Sequence, residues 1–327
     1  MYNIAIVGAT GSVGRKFLSI LEERNFPINQ LYLFASKKSN GTHLKFRGNS
    51  YLVQETSENN IKDKKIDYAL FSAGGDASLY FAPLFTKYGA IVIDNSNAWR
   101  MNDDVPLVVP EVNPEDLKNH KGIIANPNCS TIQAMIPLKA LKDNYGLKRI
   151  IYSTYQAVSG AGIGGINDLK NGASGITPTK FPYQIFNNCI PQIDVFLDNG
   201  YTKEEIKMIN ETKKILHDND LKITATTVRV PVLNCHSESI NVELLNSYNL
   251  DDIITIFNNT SGLTVYDEKE SLKYPMPIIV DGEDDVFVGR IRRDFSIENG
   301  LNLWVVGDNL RKGAALNAVQ ILETLIK

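Results

Sequence analysis

The sequence predicts a two-domain α/β protein: a Rossmann-type domain with a parallel, doubly wound sheet, then an α+β domain with a mixed, largely antiparallel sheet. Three observations predict it. Apolar strand-like runs alternate with helical segments through the first 128 or so residues, the pattern of βαβ units. The first of those strands runs straight into three evenly spaced glycines and then a helix. From about Lys148 onward the pattern turns strand-rich and alternating. A length of 327 residues also suits two domains better than one.

Composition narrows the class. At 43% hydrophobic and 22% charged, the chain reads as an ordinary soluble globular protein. A formal charge of −3 offers no footprint for nucleic acid or anionic lipid. No apolar run reaches the length of a membrane span, and the chain opens directly on a strand, so no signal peptide is expected. Cys129, Cys189 and Cys235 are distant and odd in number, which fits a reducing cytoplasm rather than a disulfide framework. His43, His120, His217 and His236 lack metal-ligand spacing, and no metal is expected.

The elements follow in order. Tyr2 to Val7 is a buried strand, and Gly8, Gly11 and Gly14 form a G-x-x-G-x-x-G turn that opens a helix at Val13. Gly8 and Gly11 let backbone approach a pyrophosphate, Gly14 lets helix pack on strand, and Thr10 and Ser12 offer hydroxyls to phosphate. A second strand ends in Ala35-Ser36-Lys37-Lys38-Ser39. An acid there would hold a ribose 2′-hydroxyl, as in NAD-binding proteins; two lysines and two serines suit a 2′-phosphate, so NADP is expected. Asp67 to Ser72 and Ala90 to Asp94 are further strands. Between them Ala73-Gly74-Gly75 leads into a helix with Asp76 as its expected N-cap. Ligands of such sheets lie beyond the strands' carboxyl ends, which brings in Ser72, Gly74 and the loop bearing Arg100, a candidate anion clamp.

Ala-Asn-Pro-Asn-Cys-Ser-Thr (125 to 131) then places Cys129 at a helix start, where unpaired N–H groups and the helix dipole favour a thiolate. Ile132, Met135, Ile136, Leu138 and Leu141 are expected on the inner side of that helix. Ser159 to Gly165 reads as a glycine-dense, flexible loop with no helix behind it, and 166 to 200 as irregular. A helix over Thr202 to His217 starts with a Thr202/Glu205 capping box, and Glu211 and Lys214 lie three apart on its surface, the spacing of a solvated ion pair. Arg229 sits in a strand whose core-facing neighbours leave it for water or a pocket. His236 follows a bend that presents it at a sheet end, with Cys235 facing the opposite way. Leu250 to Asn258 is expected as a helix, Val286 to Arg293 and Leu301 to Val306 as strands, and the chain from Asp308 as a final helix. A hydride carrier and a cysteine nucleophile in one cleft suit hydride exchange at an acyl thioester, with His236 as the base and backbone N–H groups at the Cys129 helix as the oxyanion hole.

Seven motifs in this order give the chain a family likeness: 8 to 14 and 72 to 75, Asn-Pro-Asn-Cys-Ser-Thr (126 to 131), Tyr-Gln-Ala-Val-Ser-Gly-Ala-Gly (155 to 162), Arg-Val-Pro-Val (229 to 232), His-Ser-Glu-Ser (236 to 239) and Asp-Asn-Leu-Arg-Lys-Gly-Ala-Ala (308 to 315). It resembles the aspartate-semialdehyde dehydrogenases along nearly its whole length. The resemblance implies reductive dephosphorylation of L-aspartyl-4-phosphate by NADPH to L-aspartate 4-semialdehyde and phosphate, towards lysine, methionine and threonine. It implies Cys129 as nucleophile, His236 as acid/base, and Gln156 as the residue orienting the acyl group. Arg229 and Glu211 would hold the substrate's carboxylate and amino groups, and Arg100 and Lys214 its phosphate, with Asn128 beside them. Ser159, Gly160 and Asn309 fall to the cofactor, Asn309 near the nicotinamide. Domains of 1–127 with 309–327, and 128–308, are expected, in a homodimer or homotetramer. Two departures stand out: Lys37-Lys38 replace an Arg common in relatives, and Cys235 stands where Gly is common. The same chemistry on N-acetyl-glutamyl phosphate, which has no free amine for Glu211, and a catalytically inactive NADP sensor are the alternatives.

Overall fold

The computed structural model describes residues 1–326, which fall into two units, Met1–Pro127 with the chain from Ala314 onward, and Asn128–Gly313. The five residues from Asn309 to Gly313 thus belong with the second unit.

The strands of the first unit are β1 (Tyr2–Val7), β2 (Ile28–Ala35), β3 (His43–Phe46), β4 (Asn49–Glu55), β5 (Tyr68–Phe71), β6 (Ile91–Asp94) and β7 (Ile123–Ala125). They pair in the order β3-β4-β2-β1-β5-β6-β7, every pair parallel except β3 with β4. The β3–β4 hairpin is absent from the sequence reading, although Leu44 and Phe46 alternate with exposed His43 and Lys45 as a half-buried strand should. Its helices are α1 (Ser12–Glu23), α2 (Glu58–Ile61) and α3 (Gly75–Lys87). Phe17, Leu18, Ile20 and Leu21 make the buried stripe of α1, in one core with Ile4 and Ile6 of β1. The expected Asp76 cap is not one. Gly74, at φ 89°, takes the cap position and Asp76 lies in the first turn, because the chain enters α3 through a left-handed residue.

The chain goes from β1 to β2 on one side and later returns to β5 on the other, so the switch point lies between the ends of β1 and β5. Gly8, at φ 86°, ends β1 there. A Cβ on it would lie 2.3 Å from the Ser72 carbonyl oxygen, and one on Gly14 would lie 2.2 Å from the Gly8 carbonyl oxygen. The glycine turn therefore lets two βα turns and a helix meet by backbone alone.

The second unit opens with α4 (Cys129–Tyr145), then β8 (Leu147–Gln156), α5 (Gly162–Gly172), α6 (Lys203–Ile215), β9 (Lys222–Arg229) and β10 (His236–Leu244). It continues with α7 (Leu250–Asn258), β11 (Leu263–Val265), α8 (Pro277–Val280), β12 (Val286–Asp294) and β13 (Gly300–Gly307). Its six-stranded sheet runs β11-β12-β13-β10-β8-β9, with antiparallel central pairs and parallel β8–β9 and β11–β12 pairs, a mixed sheet as expected. Instead of one inner stripe, α4 is buried from Ser130 through Leu138, so it is a core helix. Helix α5 overturns the expected flexible loop. A Cβ on Gly165 would lie 2.5 Å from the Val158 carbonyl oxygen, so glycine serves close packing here rather than freedom. The final helix starts as a π-helical turn (Arg311–Ala315) and runs on as α9 (Leu316–Leu325), packed on α1 and β6 in the first unit.

Candidate active site

In the second unit the site is laid out in rows on the buried face of the sheet. Strand register lines up Arg229, Gln156, His236 and Gly307 across β9, β8, β10 and β13. The next row holds Thr227, Thr154, Glu238 and Val305, and the third Ala225, Tyr152, Ile240 and Leu303. All twelve are buried. The period-2 alternation that makes these strands legible also spaces their polar positions two apart.

Cys129 is the first residue of α4 and is partly exposed. Asn128 caps the helix, its Oδ1 accepting from the N–H groups of Ser130 (3.0 Å) and Thr131 (3.4 Å). Such a cap is worth about 1 kcal/mol. Asn128 thereby takes two of the backbone N–H groups expected to serve an oxyanion, those of Ser130 and Thr131.

Helix α6 holds this cap from the other side. Asn128 donates its backbone N–H to Glu211 Oε2 at 2.6 Å and its Nδ2 to Glu204 Oε1 at 2.9 Å. Glu211 is almost fully buried, so it is not the solvated side chain expected from sequence spacing. Lys214, one turn on, is half-buried. Glu204 is absent from the sequence reading. Its oxygens accept from Asn128, from Gln156 Nε2 at 3.1 Å and from Lys207 Nζ at 3.2 Å. Burial pushes its carboxyl up, but Lys207, Asn128 and Gln156 outweigh burial and hold it below the usual range. One signal was available: Glu204, Met208, Glu211 and Ile215 share the buried face of an otherwise polar helix.

Gln156 accepts from Thr154 Oγ1 at 3.0 Å, so both ends of its amide are held. Arg229 is buried, donates from Nη1 to the Ala157 carbonyl at 2.6 Å, and sits 5.9 Å from the Phe181 ring centroid. Phe181 is fixed by Asp168 of α5, whose carboxylate accepts from the N–H groups of Thr179, Lys180 and Phe181. His236 is fully buried. Its Nδ1 accepts from the Ala157 N–H at 3.0 Å, which leaves the proton of a neutral ring on Nε2. Nε2 has no hydrogen-bond partner among the described residues. Burial, and next the Arg229 charge, holds the ring well below the ordinary histidine pKa, so it is neutral at neutral pH.

Gly160 packs against this pair: a Cβ there would lie 3.2 Å from Arg229 Nη1 and 3.3 Å from His236 Nε2. Asn309 accepts from the Cys235 N–H at 2.8 Å and donates to Ser159 Oγ at 3.0 Å, tying together the loops that flank His236. Cys235 departs from the expected strand geometry. It lies just before β10 at φ 69°, a left-handed conformation that glycine adopts at least cost, and burial raises its thiol pKa.

The first unit carries a cleft of about 450 Å³ at the switch point, lined by Gly8, Thr10, Gly11, Ser36, Lys37 and Ser72 among others. Helices α1 and α3 both open on glycine turns without a side-chain cap, unlike α4 and α6, so their first-turn N–H groups suit an anion. This fits a dinucleotide pyrophosphate. Ser12, Val13, Gly14, Lys38, Ser39 and Gly74 are not in the lining, though Ser39 Oγ lies 3.2 Å from Thr10 Oγ1. Glu55, at the end of β4, lines the cleft beside Lys37; it lies 20 residues from Ala35 in sequence but pairs with it across the sheet. Arg100 is buried in this unit, donating to the carbonyls of Asn126 (2.9 Å) and Asn95 (2.8 Å).

Residues 3–120 match the semialdehyde dehydrogenase NAD-binding domain and residues 138–312 the semialdehyde dehydrogenase dimerisation domain. An aspartate-semialdehyde dehydrogenase of Aquifex aeolicus is 55% identical over 100% of this chain and 98% of its own. The chain belongs to the aspartate-semialdehyde dehydrogenase family. Among solved structures, aspartate semialdehyde dehydrogenase II of Vibrio cholerae complexed with ASA superposes with a TM-score of 0.94 at 44% identity, covering 100% of this chain and 98% of that one. The Candida albicans enzyme with NADP gives a TM-score of 0.77 at 26% identity, covering 100% and 98%. Family membership makes the chain an oxidoreductase of amino-acid biosynthesis with a nicotinamide-nucleotide domain. No helix among the described residues is long and apolar enough to cross a membrane.

Proposed function

We propose that this chain catalyses NADPH-dependent reductive dephosphorylation of L-aspartyl-4-phosphate through an acyl thioester on Cys129. The observation that carries the reading is the row Arg229, Gln156, His236 beside an accessible thiol at a helix start. The Cys129 thiolate attacks the acyl carbon, phosphate leaves, and the thioester remains. The bound dinucleotide, its pyrophosphate at the glycine turn of the first unit, would supply the hydride that reduces the thioester; the C–S bond then breaks and frees the aldehyde and the Cys129 thiolate. His236 acts as an electrophile: its neutral ring donates a hydrogen bond from Nε2–H to the oxygen that gains charge on the acyl carbon. The Ala157 N–H at Nδ1 disfavours the other neutral tautomer, so the ring is not the base that takes the thiol proton. Arg229 takes the substrate's α-carboxylate and Glu211 its ammonium, while Arg100 and Lys214 take the phosphate. Gln156 and Asn128, held by Glu204, orient the acyl group and the helix start. The matched dimerisation domain supports a homodimer.

NADP is the proposed cofactor, supported by Ser36 and Lys37 in the cleft and by the Candida albicans likeness. Glu55 beside Lys37 opposes a 2′-phosphate and suits a ribose hydroxyl, so discrimination against NAD is modest. The test is phosphate-dependent reduction of NADP, then NAD, with L-aspartate 4-semialdehyde. Turnover with both is expected, with NADP favoured, and Glu55→Gln should raise that preference about 3- to 10-fold by removing one repulsion. Preference for the N-acetyl-glutamyl semialdehyde would overturn the substrate, and no reaction with either would leave the inactive-sensor reading.

A further inference from the structure

One buried amide interrupts the apolar run of α9. Asn317 stands between Leu316 and Ala318, with Val319, Ile321 and Leu322 beyond, all of them buried, and is itself 0% exposed. A polar side chain in such a stretch is costly unless it is hydrogen-bonded. Its Nδ2 donates twice, to Asn126 Oδ1 at 2.7 Å and to the Val108 carbonyl at 3.0 Å. Asn126 follows β7, the last strand of its sheet, and is buried as well. All of its polar groups are engaged. Its N–H donates to the Asp94 carbonyl at 2.8 Å and its Nδ2 to the Ala314 carbonyl at 3.2 Å; Oδ1 accepts from Asn317, and the backbone carbonyl accepts from Arg100 Nε at 2.9 Å. Every residue in this chain of contacts lies in the first unit.

We propose that Asn317 is a positioning residue that acts through Asn126 to set the guanidinium of Arg100. That group hangs on two carbonyls, Nε on Asn126 and Nη2 on Asn95. The Asn95 end is set by the sheet, since the Asn95 N–H donates to the Phe71 carbonyl at 3.0 Å. The Asn126 end has, besides its own backbone bond, the side-chain clamp from α9. With both carbonyls fixed the plane of the guanidinium is fixed, which directional recognition of an anion requires. Without the Asn317 amide, Asn126 Oδ1 is a buried acceptor with no donor from α9. It regains a donor only by turning, and that moves the carbonyl that carries Arg100. The inference rests on the reading of Arg100 as a holder of the substrate's phosphate.

The test measures Asn317→Leu and Asn317→Ser in the phosphate-dependent assay, each alone and combined with Arg100→Ala. Leucine keeps the volume without a donor, and serine ends one atom short of the Nδ2 position. Each should lower kcat/KM for phosphate about 10-fold, less than the ~100-fold that a misplacement of about 1 Å can cost. For L-aspartate 4-semialdehyde kcat/KM should stay within about 2-fold, because the displaced group serves the phosphate. In the Arg100→Ala background neither substitution should lower the phosphate value further, since the group through which Asn317 acts is gone. Unchanged phosphate dependence, equal losses for both substrates, or the same loss with and without Arg100 would each overturn the proposal. Should one variant fail to fold, the other decides; loss of NADP binding in both would assign Asn317 to the fold alone and overturn it as well. Failure of the Arg100 reading is recognised separately, by Arg100→Ala alone leaving kcat/KM for phosphate unchanged.

Discussion

Cys129→Ala is expected to abolish turnover, with a fall in kcat of about 10⁴-fold or more, while NADPH binding is retained. A nucleophile forms the intermediate itself, and no neighbour can substitute for it. Cys235 is buried, and Cys189 lies on an exposed part of the irregular segment after α5. The fold should tolerate the change. Asn128 still caps α4 through Ser130 and Thr131, and alanine is a strong helix former. The dinucleotide cleft lies wholly in the first unit, so cofactor titration followed by fluorescence should be unaltered. Substantial turnover would remove Cys129 as nucleophile; lost NADPH binding would mean that the substitution acts on the fold.

His236→Asn is the second large effect. Asparagine places Oδ1 near the position of Nδ1, where it still accepts from the Ala157 N–H, and deletes only the donor at Nε2. Loss of such an oxyanion donor costs about 10²- to 10³-fold in kcat, with KM little changed. An unchanged kcat would take His236 out of the mechanism. The same substitution has a pH signature in stability. The folded pKa of His236 is depressed by burial and then by Arg229, against about 6.5 for an unfolded histidine. Its contribution is therefore present above the unfolded pKa and lost as pH falls through the folded one, at about 1.4 kcal/mol per pH unit in between. Thermal midpoints measured from pH 7 down to pH 5 should fall less steeply for His236→Asn than for the unsubstituted protein. Parallel slopes would mean that the ring is not buried in its neutral form.

The chemistry was legible wherever a residue type and its local spacing were enough. Three glycines after a strand marked the turn that opens α1, and the Asn-Pro-Asn-Cys stretch marked a helix start at Cys129, where the structure has both. What stayed hidden depends on non-local pairing. Glu55 reaches the cofactor cleft only because β4 pairs with β2 across a hairpin the sequence reading missed. Glu204 looks like one more charge in Lys-Glu-Glu-Ile-Lys until the fold buries that face of α6 against Asn128 and Gln156. The glycines of 160 to 165 misled for a related reason, since glycine demanded by close packing looks the same in sequence as glycine that supplies freedom. Within their unit the motifs at 155 to 162 and 308 to 315 also set posture: Asn309 and Ser159 hold the loops around His236, and Gly160 packs on its ring.

The covalent intermediate is the claim most open to direct test. The protein would be mixed with L-aspartate 4-semialdehyde and NADP in the absence of phosphate, quenched in acid, and read by intact mass and peptide mapping. One aspartyl group per chain is expected, carried on the peptide with Cys129 and discharged when phosphate is added before the quench. An adduct on Cys189 or Cys235, or NADP reduction with no adduct at all, would contradict the mechanism.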